Sequence, residues 1–188
     1  MGEDIRQVWH AFMGTLIAAI IYCWNIRVTQ AFFIALLFGL FFVRYLASRN
    51  YDTPFLKDYL KVLTSKGRGK EMGDGAMFFI MGALISILFF PKNVAAISVL
   101  VLGISDALAT IVGRRSKHYI YGKKTLEGSS AFFLSAFLII GLAYNFIIGL
   151  IVGLILTAIE LFAGFDDNAT IPPTGSLLIS LLKNIIVG

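Results

Sequence analysis

Charged side chains are scarce in this sequence, and their scarcity excludes a soluble domain. Only 14% of the 188 residues are charged, whereas 58% are hydrophobic. A water-soluble domain of this length shows polar side chains over most of its surface, which this composition cannot supply. The surface is therefore expected to face lipid. Since only short connections remain between the apolar runs, we treat residues 1–188 as a single transmembrane domain.

Cysteine is almost absent as well, and no leader sequence is visible. The single cysteine, Cys23, excludes a disulfide within the chain, and its apolar surroundings predict a packed core residue. The first apolar run has no basic leader before it and no small-residue cleavage site after it, so a removable signal peptide is not expected. The net charge of +5 does not indicate a nucleic-acid partner, because the basic residues lie in loops between apolar runs.

Long apolar runs are what the sequence has in abundance. A hydrocarbon core of roughly 30 Å requires about 20 apolar residues per helix. The predicted spans are 8–24, 28–47, 73–90, 93–113, 128–144, 145–163 and, as a shorter segment that crosses or only enters the membrane, 174–187. The expected fold is an all-α bundle of six to seven transmembrane helices. Between the second and third spans, residues 54–64 carry apolar side chains on one face and predict a short interfacial helix.

Lysine and arginine are unevenly distributed over the loops. The 48–72 loop carries six of them and the 114–127 loop carries five. Cytoplasmic loops are enriched in these residues, so both loops are expected on the cytoplasmic side of a multi-pass protein. The N-terminus and the polar 164–173 loop then face the cytoplasm too.

Two acidic residues lie inside predicted spans, where charge is costly and usually functional. Asp106 lies about two turns from the cytoplasmic end of the fourth span, and Gly103, Thr110 and Gly113 share its face. Small residues let a ligand or another helix approach closely; the alternative is a packing seam in which a polar neighbour satisfies Asp106. Glu160 lies near the cytoplasmic end of the sixth span. The alternative to a functional role is that its side chain only extends to the membrane interface.

A glycine-flanked basic segment, 122–128, precedes the fifth span. Lys123 and Lys124 are suited to phosphate, Thr125 offers a hydroxyl group, and the helix start beside Gly128 presents free amides to an anion. The alternative is a positive-inside anchor, which explains the lysines but not the glycines and the threonine.

Two more groups are expected at the same membrane level. Asp167 and Asn168 offer the hard oxygen atoms that Mg²⁺ prefers. The alternative to a metal site is a solvated turn before Pro172. Arg6 and His10 lie one helical turn apart at the start of the first span. Cations for phosphates, carboxylates for a metal or a base, and an apolar bundle for a lipid tail together favour phosphoryl transfer to a membrane alcohol.

These segments resemble a known family. The runs SDALAT at 105–110, GRR at 113–115 and GKKTLEGS at 122–129 are similar to the signature of the polyprenol kinase family, which includes dolichol kinase, phytol kinase and the CTP-dependent diacylglycerol kinases. Glu160 followed by Asp167, Asn168 and the Ile-Pro pair at 171–172 resembles the second motif of that family. Arg6 and His10 resemble its N-terminal basic pair. Ser105 departs from the glycine usual in the family.

The resemblance implies transfer of the terminal phosphate of CTP to a lipid hydroxyl group, with a divalent cation such as Mg²⁺. It implies that the site contains Asp106, Lys124, Glu127, Glu160, Asp167 and Asn168. We expect Asp106 and Glu160 to be catalytic, and Asp106, Glu160 and Asp167 to be the candidate metal ligands. The residues expected to hold CTP are Arg114, Arg115, Lys123, Lys124, Thr125, Glu127, Gly128, Asn168, Arg6 and His10.

Two other functions remain open at this stage. A CTP-dependent phospholipid cytidylyltransferase would use the same nucleotide and metal but release pyrophosphate. A small cation transporter would use Asp106 and Glu160 as ion ligands, yet would leave the 122–128 and 167–172 segments without a role. The sequence also leaves open the lipid alcohol, of polyprenol or dolichol type or shorter, and the oligomeric state.

Overall fold

The computed structural model of the chain describes residues 3–48, 74–162 and 166–186, and within these ranges the chain forms seven helices. The helices are α1 (Glu3–Cys23), α2 (Ile26–Ser48), α3 (Asp74–Phe89), α4 (Lys92–Gly113), α5 (Leu126–Ala143), α6 (Phe146–Phe162) and α7 (Asp167–Ile186). The interfacial helix predicted at 54–64 lies outside the described residues. The helical class expected from the sequence is confirmed.

Four of the helices in the described part are long and apolar enough to cross a membrane: α1, α2 over Ile26–Leu46, α4 and α5. The expected count of six to seven spans is therefore not confirmed. The α3 and α6 helices are apolar but shorter, with 16 and 17 residues. The α7 helix has 20 residues, but its first half carries Asp167, Asn168 and two prolines.

The α4 helix lies at the centre of the bundle and is the most buried of the four spans. It packs against α1, α3, α5 and α7. A π-helical turn, Leu102–Asp106, interrupts its α-helical course. At this turn α4 crosses α1 so closely that a Cβ atom on Gly14 would lie 2.6 Å from the Cα atom of Gly103. Side chains larger than hydrogen do not fit there, so these two glycines determine how closely α1 packs against α4.

The start of α7 corrects the sequence prediction, which treated 164–173 as a loop and began the last apolar segment at 174. The helix begins at Asp167, and Pro172 and Pro173 lie inside it. Asp166 caps the helix: its side-chain Oδ1 accepts the backbone N–H of Asn168 at 3.0 Å. Each proline lacks the N–H that would bond four residues back, so the carbonyl groups of Asn168 and Ala169 are released from the helix ladder.

The α3 helix packs against those released carbonyl groups. A Cβ atom on Gly82 would lie 2.4 Å from the carbonyl oxygen of Asn168. The absence of a side chain at Gly82 thus allows α3 to approach the proline-containing turn of α7 directly. This contact holds the start of α7, and Asp167 with it, against the bundle.

A small antiparallel hairpin stands where a polar loop was expected. Strand β1 (Tyr119–Tyr121) pairs with β2 (Lys124–Thr125), and Gly122 takes a positive φ of 55° in the turn. The pairing joins Tyr119 to Thr125 and Tyr121 to Lys124, with an extra residue bulged between the two tyrosines.

The predicted burial of Cys23 is wrong. Its side chain is exposed at the end of α1. The helix buries a different face, formed by Gly14, Ile17, Ala18 and Ile21. Cys23 lies at the end of the helix, two residues beyond that buried face.

Candidate active site

One end of the bundle gathers most of the chemically active side chains. The N-terminal ends of α1, α5 and α7 meet the C-terminal ends of α4 and α6 there. The ion pairs at this end join Arg114 to Asp4 and Lys124 to Glu160 and Asp167. An even number of helices separates these segments along the chain, which is why the sequence analysis could place them at one end of the bundle.

Lys124 is the centre of this end. From strand β2 its Nζ atom donates to Glu160 near the end of α6 and to Asp167 Oδ2 at 3.1 Å, at the start of α7. The Glu160 side chain is 2% exposed, and the Lys124 side chain is 34% exposed. One lysine therefore ties the hairpin to two helices and compensates a buried carboxylate.

Burial and charge act in opposite directions on the pKa values of this cluster. Burial lowers the pKa of Lys124, but the hydrogen bond to Glu160 and the charge of Asp167 outweigh burial, and the pKa of Lys124 is raised above its usual value. Burial raises the pKa of Asp167 to about 6 against the opposing pull of Lys124. At neutral pH Lys124 is therefore charged and Asp167 is mostly ionised.

Asp106 ends the π-helical turn of α4 and faces His10 of α1. Its Oδ2 lies 3.6 Å from His10 Nε2, which is within ion-pair range but too long for a hydrogen bond. His10 packs edge-on against the ring of Phe79, with ring centroids 5.5 Å apart. The π-helical turn alters the local register of α4 and so sets the direction of the carboxylate; such turns often occur at functional sites.

The start of α5 lies directly on the end of α4. The Thr125 hydroxyl oxygen accepts the backbone N–H of Gly128 at 3.2 Å and caps the helix. A Cβ atom on Gly128 would lie 2.8 Å from the carbonyl oxygen of Ala109. The cap and a second bond, from Leu126 N–H to the His118 carbonyl oxygen, use two of the amides that were expected to be free for an anion.

These groups surround an open cleft of about 710 Å³. This volume is in the range of small-molecule sites in proteins. The basic residues that line it are Arg6, Arg114, Lys123 and Lys124, and the acidic ones are Glu3, Asp106 and Glu160. Thr110, Gly113, Thr125 and Gly128 line the same wall. The cleft therefore offers four cations and three carboxylates to one ligand.

Some predicted site residues lie beside the cleft rather than in its wall. Arg115 is bound to Asp4, with Nη2 to Oδ2 at 3.2 Å, and its side chain is 72% exposed. Glu127 is hydrogen-bonded to His118, which raises the pKa of His118 above its usual value. Asn168 packs near Gly75.

A divalent cation is chemically compatible with this end, but its site is not assembled. Glu160 Oε2 and Asn168 Oδ1 are buried and have no hydrogen-bond partner in the described part of the chain. Such oxygen atoms suit Mg²⁺. However, no three His, Cys, Asp or Glu side chains within the described ranges are grouped closely enough to hold a metal. The Lys124 ammonium group lies between Glu160 and Asp167, where it compensates their charge itself.

The sequence reasoning missed four residues of the cleft wall: Glu3, Gln7, Tyr119 and Ser129. Glu3 and Gln7 share the helical face of Arg6 and His10, so their spacing could have revealed them. Tyr119 gave no signal, because the hairpin that carries it was not predicted. The Ser129 hydroxyl group is buried and has no hydrogen-bond partner among the described residues.

Comparison with known proteins gives relatives of similar length and more distant kinases. The chain is 34% identical to the uncharacterized protein MJ1137 of Methanocaldococcus jannaschii over 98% of this chain and 96% of that protein. It is 27% identical to CTP-dependent diacylglycerol kinase 1 of Saccharomyces cerevisiae over 95% of this chain and 72% of the yeast protein. It is 29% identical to a probable chloroplastic phytol kinase of Triticum aestivum over 75% of this chain and 48% of the wheat protein.

No family model matches the chain. No solved structure matches it either. The distant relatives support a lipid kinase in general terms, with CTP as the donor in the yeast protein by its name.

Proposed function

The chain belongs to the same family as the uncharacterized protein MJ1137, and from this premise we propose that it is a CTP-dependent lipid kinase. It transfers the terminal phosphate of CTP to the hydroxyl group of a membrane lipid alcohol. The whole chain, 1–188, acts as one transmembrane kinase domain. The proposal is supported by the cleft and by the kinases among the distant relatives.

One observation carries the proposal: a buried carboxylate, Glu160, and Asp167 share the single ammonium group of Lys124 at the edge of a cationic cleft. A purely structural ion pair does not need further cations around it. Here Arg6, which is paired with Glu3, and Arg114, which is paired with Asp4, line the same cleft together with Lys123. A polyphosphate requires several cations within reach, because phosphoryl transfer depends on charge neutralisation and positioning.

In the proposed complex, Lys124, Lys123, Arg114 and Arg6 hold the phosphates of CTP by charge-assisted hydrogen bonds. The glycine at position 128 lets the start of α5 pack directly on the end of α4, beside the proposed phosphate positions. Arg115 lies at the rim of the cleft, where it is paired with Asp4 and adds positive charge. Glu127 supports the hairpin through His118, and Thr125 supports it through the helix cap.

The reaction forms a bond between the lipid oxygen and the terminal phosphorus and breaks the bond between that phosphorus and the oxygen that bridges it to the middle phosphate. CDP leaves, and the hydroxyl proton passes to a carboxylate of the protein. We assign that role to Asp106, because it faces the cleft from a membrane helix, where a lipid hydroxyl group can reach it. His10 of α1 lies beside Asp106, with 3.6 Å between His10 Nε2 and Asp106 Oδ2.

Glu160 and Asp167, with Asn168 beside them, would hold the divalent cation that accompanies CTP. When bound, that cation would screen the charge of the phosphates. Glu160 already has a buried oxygen atom that is unpaired within the described chain. Lys124 would then exchange at least one of its carboxylate partners for a phosphate oxygen.

The proposed orientation puts the cleft at the cytoplasmic face. Its support is the five lysines and arginines of the 114–127 loop, which borders the cleft. A cysteine placed at position 117 should react with an impermeant reagent only from the cytoplasmic side. Reaction from the outside of intact cells would contradict this orientation.

The proposed activity is tested with CTP labelled at its terminal phosphate, purified protein, Mg²⁺ and a panel of lipid alcohols. The panel contains a polyprenol, a dolichol, phytol and diacylglycerol, and we expect a polyprenol- or dolichol-type alcohol to be the best acceptor. The expected products are CDP and a labelled lipid monophosphate. Pyrophosphate with a CDP-lipid would indicate a cytidylyltransferase, and ion flux in liposomes without nucleotide turnover would indicate a transporter.

A further inference from the structure

The outer end of the cleft has a different chemistry from its inner end. Glu3 and Gln7 of α1 and Tyr119 of the hairpin line the outer part, and the proposed reaction uses none of the three. Gln7 is 5% exposed although it is polar. A buried amide, a carboxylate and an aromatic ring that line one cleft are suited to a flat, polar ligand group.

The position of these residues along α1 fixes their depth. Glu3 precedes His10 by seven residues, which corresponds to about 10 Å along the helix axis. His10 contacts Asp106 at the inner end, and Arg6 lies between the two levels. A ligand whose reacting phosphate lies near Asp106 and that follows α1 outward therefore extends past Arg6 and ends near Glu3.

Tyr119 is the only aromatic residue in the cleft wall, as far as the described residues define it. Residues 119 and 121 would point to the same face of a regular strand. The bulge between them separates the two rings: Tyr119 faces the cleft, whereas Tyr121 contacts the ring of Phe162, with centroids 5.6 Å apart. Bulges near active sites redirect side chains in this way.

The hydrogen-bonding groups of Glu3 and Gln7 match one pyrimidine better than the other. Glu3 Oε1 accepts from Gln7 Nε2 at 3.4 Å and also from the Arg6 guanidinium group, so the three side chains lie side by side. Cytosine presents an amino donor at N4 beside acceptors at N3 and O2. A carboxylate accepts from N4, and the amide of Gln7 can donate to N3. Uracil would present a carbonyl oxygen to the carboxylate and an N–H group to the amide donor.

We infer that Glu3, Gln7 and Tyr119 form the base-recognition end of the cleft, where the cytosine ring stacks on Tyr119 and Glu3 with Gln7 distinguishes cytosine from uracil. This inference rests on the proposed kinase function and adds the residues that select the nucleotide. It assigns the outer cleft to the base and leaves the phosphates to the inner cations.

The test compares CTP and UTP as phosphate donors for four purified variants and the wild type, with binding of CTP measured in parallel without lipid. Glu3→Gln should reduce the preference for CTP over UTP about 10-fold, the scale of one good base-edge contact, with little change in kcat for CTP. Tyr119→Ala should raise the KM for both nucleotides about 10-fold, because stacking does not depend on the base. Tyr121→Ala is the matched control and should leave both values unchanged.

Tyr119→Phe separates stacking from a folding effect, since it keeps the ring and should bind CTP like the wild type. If the wild type transfers phosphate from CTP but Glu3→Gln keeps the full preference over UTP, the inference is wrong and the kinase function stands. The inference is equally wrong if Tyr119→Ala behaves like Tyr121→Ala. If the wild type transfers phosphate from neither nucleotide, the proposed function itself fails, and the inference fails with it.

Discussion

Two ion-pair networks at the same end of the bundle have opposite composition. In one, the lysine Lys124 is shared by two carboxylates, Glu160 and Asp167. In the other, the carboxylate of Asp4 is shared by two arginines, Arg114 at 3.0 Å and Arg115 at 3.2 Å. The first network has a surplus of negative charge, and the second has a surplus of positive charge.

Their burial differs as much as their composition. The Glu160 side chain is 2% exposed, whereas the Asp4 side chain is 52% exposed and that of Arg115 72%. A buried carboxylate that loses its cation is left uncompensated, which is strongly destabilising. An exposed pair is screened by water and salt and contributes little. The Lys124 network is therefore expected to matter for both folding and function, and the Asp4 network mainly for the charge around the cleft entrance.

The largest effect is expected from Lys124→Met, which keeps much of the side-chain volume and removes the charge. Loss of the ammonium group leaves Glu160 buried and unpaired, so the free energy of unfolding should fall by about 3 kcal/mol, the low end for buried pairs because Lys124 is partly exposed. The kcat/KM for CTP should fall about 10- to 100-fold, as expected for loss of a charged hydrogen bond to phosphate. Thermal unfolding in detergent and the labelled-phosphate assay measure the two effects.

The double variant Lys124→Met with Glu160→Gln, compared with Glu160→Gln alone, separates the effect on stability from the effect on activity. Neutralising Glu160 removes the unpaired charge, so stability should recover, while activity should not. Recovery of CTP turnover together with stability would mean that Lys124 acts only as a structural partner of Glu160. That result would contradict its assignment to the phosphates.

A much smaller effect is expected from Asp4→Asn in the exposed network. The free energy of unfolding should change by less than about 1 kcal/mol, and the change should shrink further as salt is added. Turnover should remain within about twofold of the wild type, since this pair lies at the rim. A loss of stability as large as that of Lys124→Met would remove the distinction between the buried and exposed networks.

The smallest effect concerns the exposed pair of His118 and Glu127, which fastens the hairpin to α5. Its hydrogen bond raises the pKa of His118 above the ordinary value of 6.5. A raised folded-state pKa contributes stability that is complete below pH 6.5 and is lost as the pH rises through the folded-state pKa. The melting temperature of the wild type should therefore exceed that of His118→Gln slightly at pH 5.5, and the difference should vanish at high pH.

Titration of His118 by NMR checks the cause directly. Its pKa should lie above 6.5 in the wild type and return toward 6.5 in Glu127→Gln. An unchanged pKa in that variant would show that the pair does not form in solution.

The sequence predicted that Asp106, Lys124 and Glu160 lie at the same end of the bundle. Successive helices reverse direction, so the polar ends of α4, α5 and α6 lie close together. It could not predict how these groups pair. Asp4 and Arg114 are 110 residues apart, and no local spacing links them. The side-chain pairing depends on the close crossing of α1 and α4 at Gly14 and Gly103, which only the packed structure shows.

Two local features escaped prediction for separate reasons. The hairpin strands contain three and two residues, too few for a periodic pattern to reveal. Pro172 and Pro173 usually indicate a helix break, but in α7 the close packing of α3 at Gly82 accommodates the carbonyl groups that they release. The packing at Gly82 is a tertiary contact that overrides the local signal of the two prolines.

The most direct test of the proposed mechanism is the rate of phosphate transfer from labelled CTP to lipid by purified Asp106→Asn, with its melting temperature measured beside it. This change keeps the size of the side chain and removes a carboxylate that faces the cleft from within a membrane helix. We expect transfer to be nearly abolished, while the melting temperature is unchanged or raised, because a charge within the membrane is costly. Near-normal transfer by a well-folded Asp106→Asn would contradict the mechanism and remove Asp106 from the reaction.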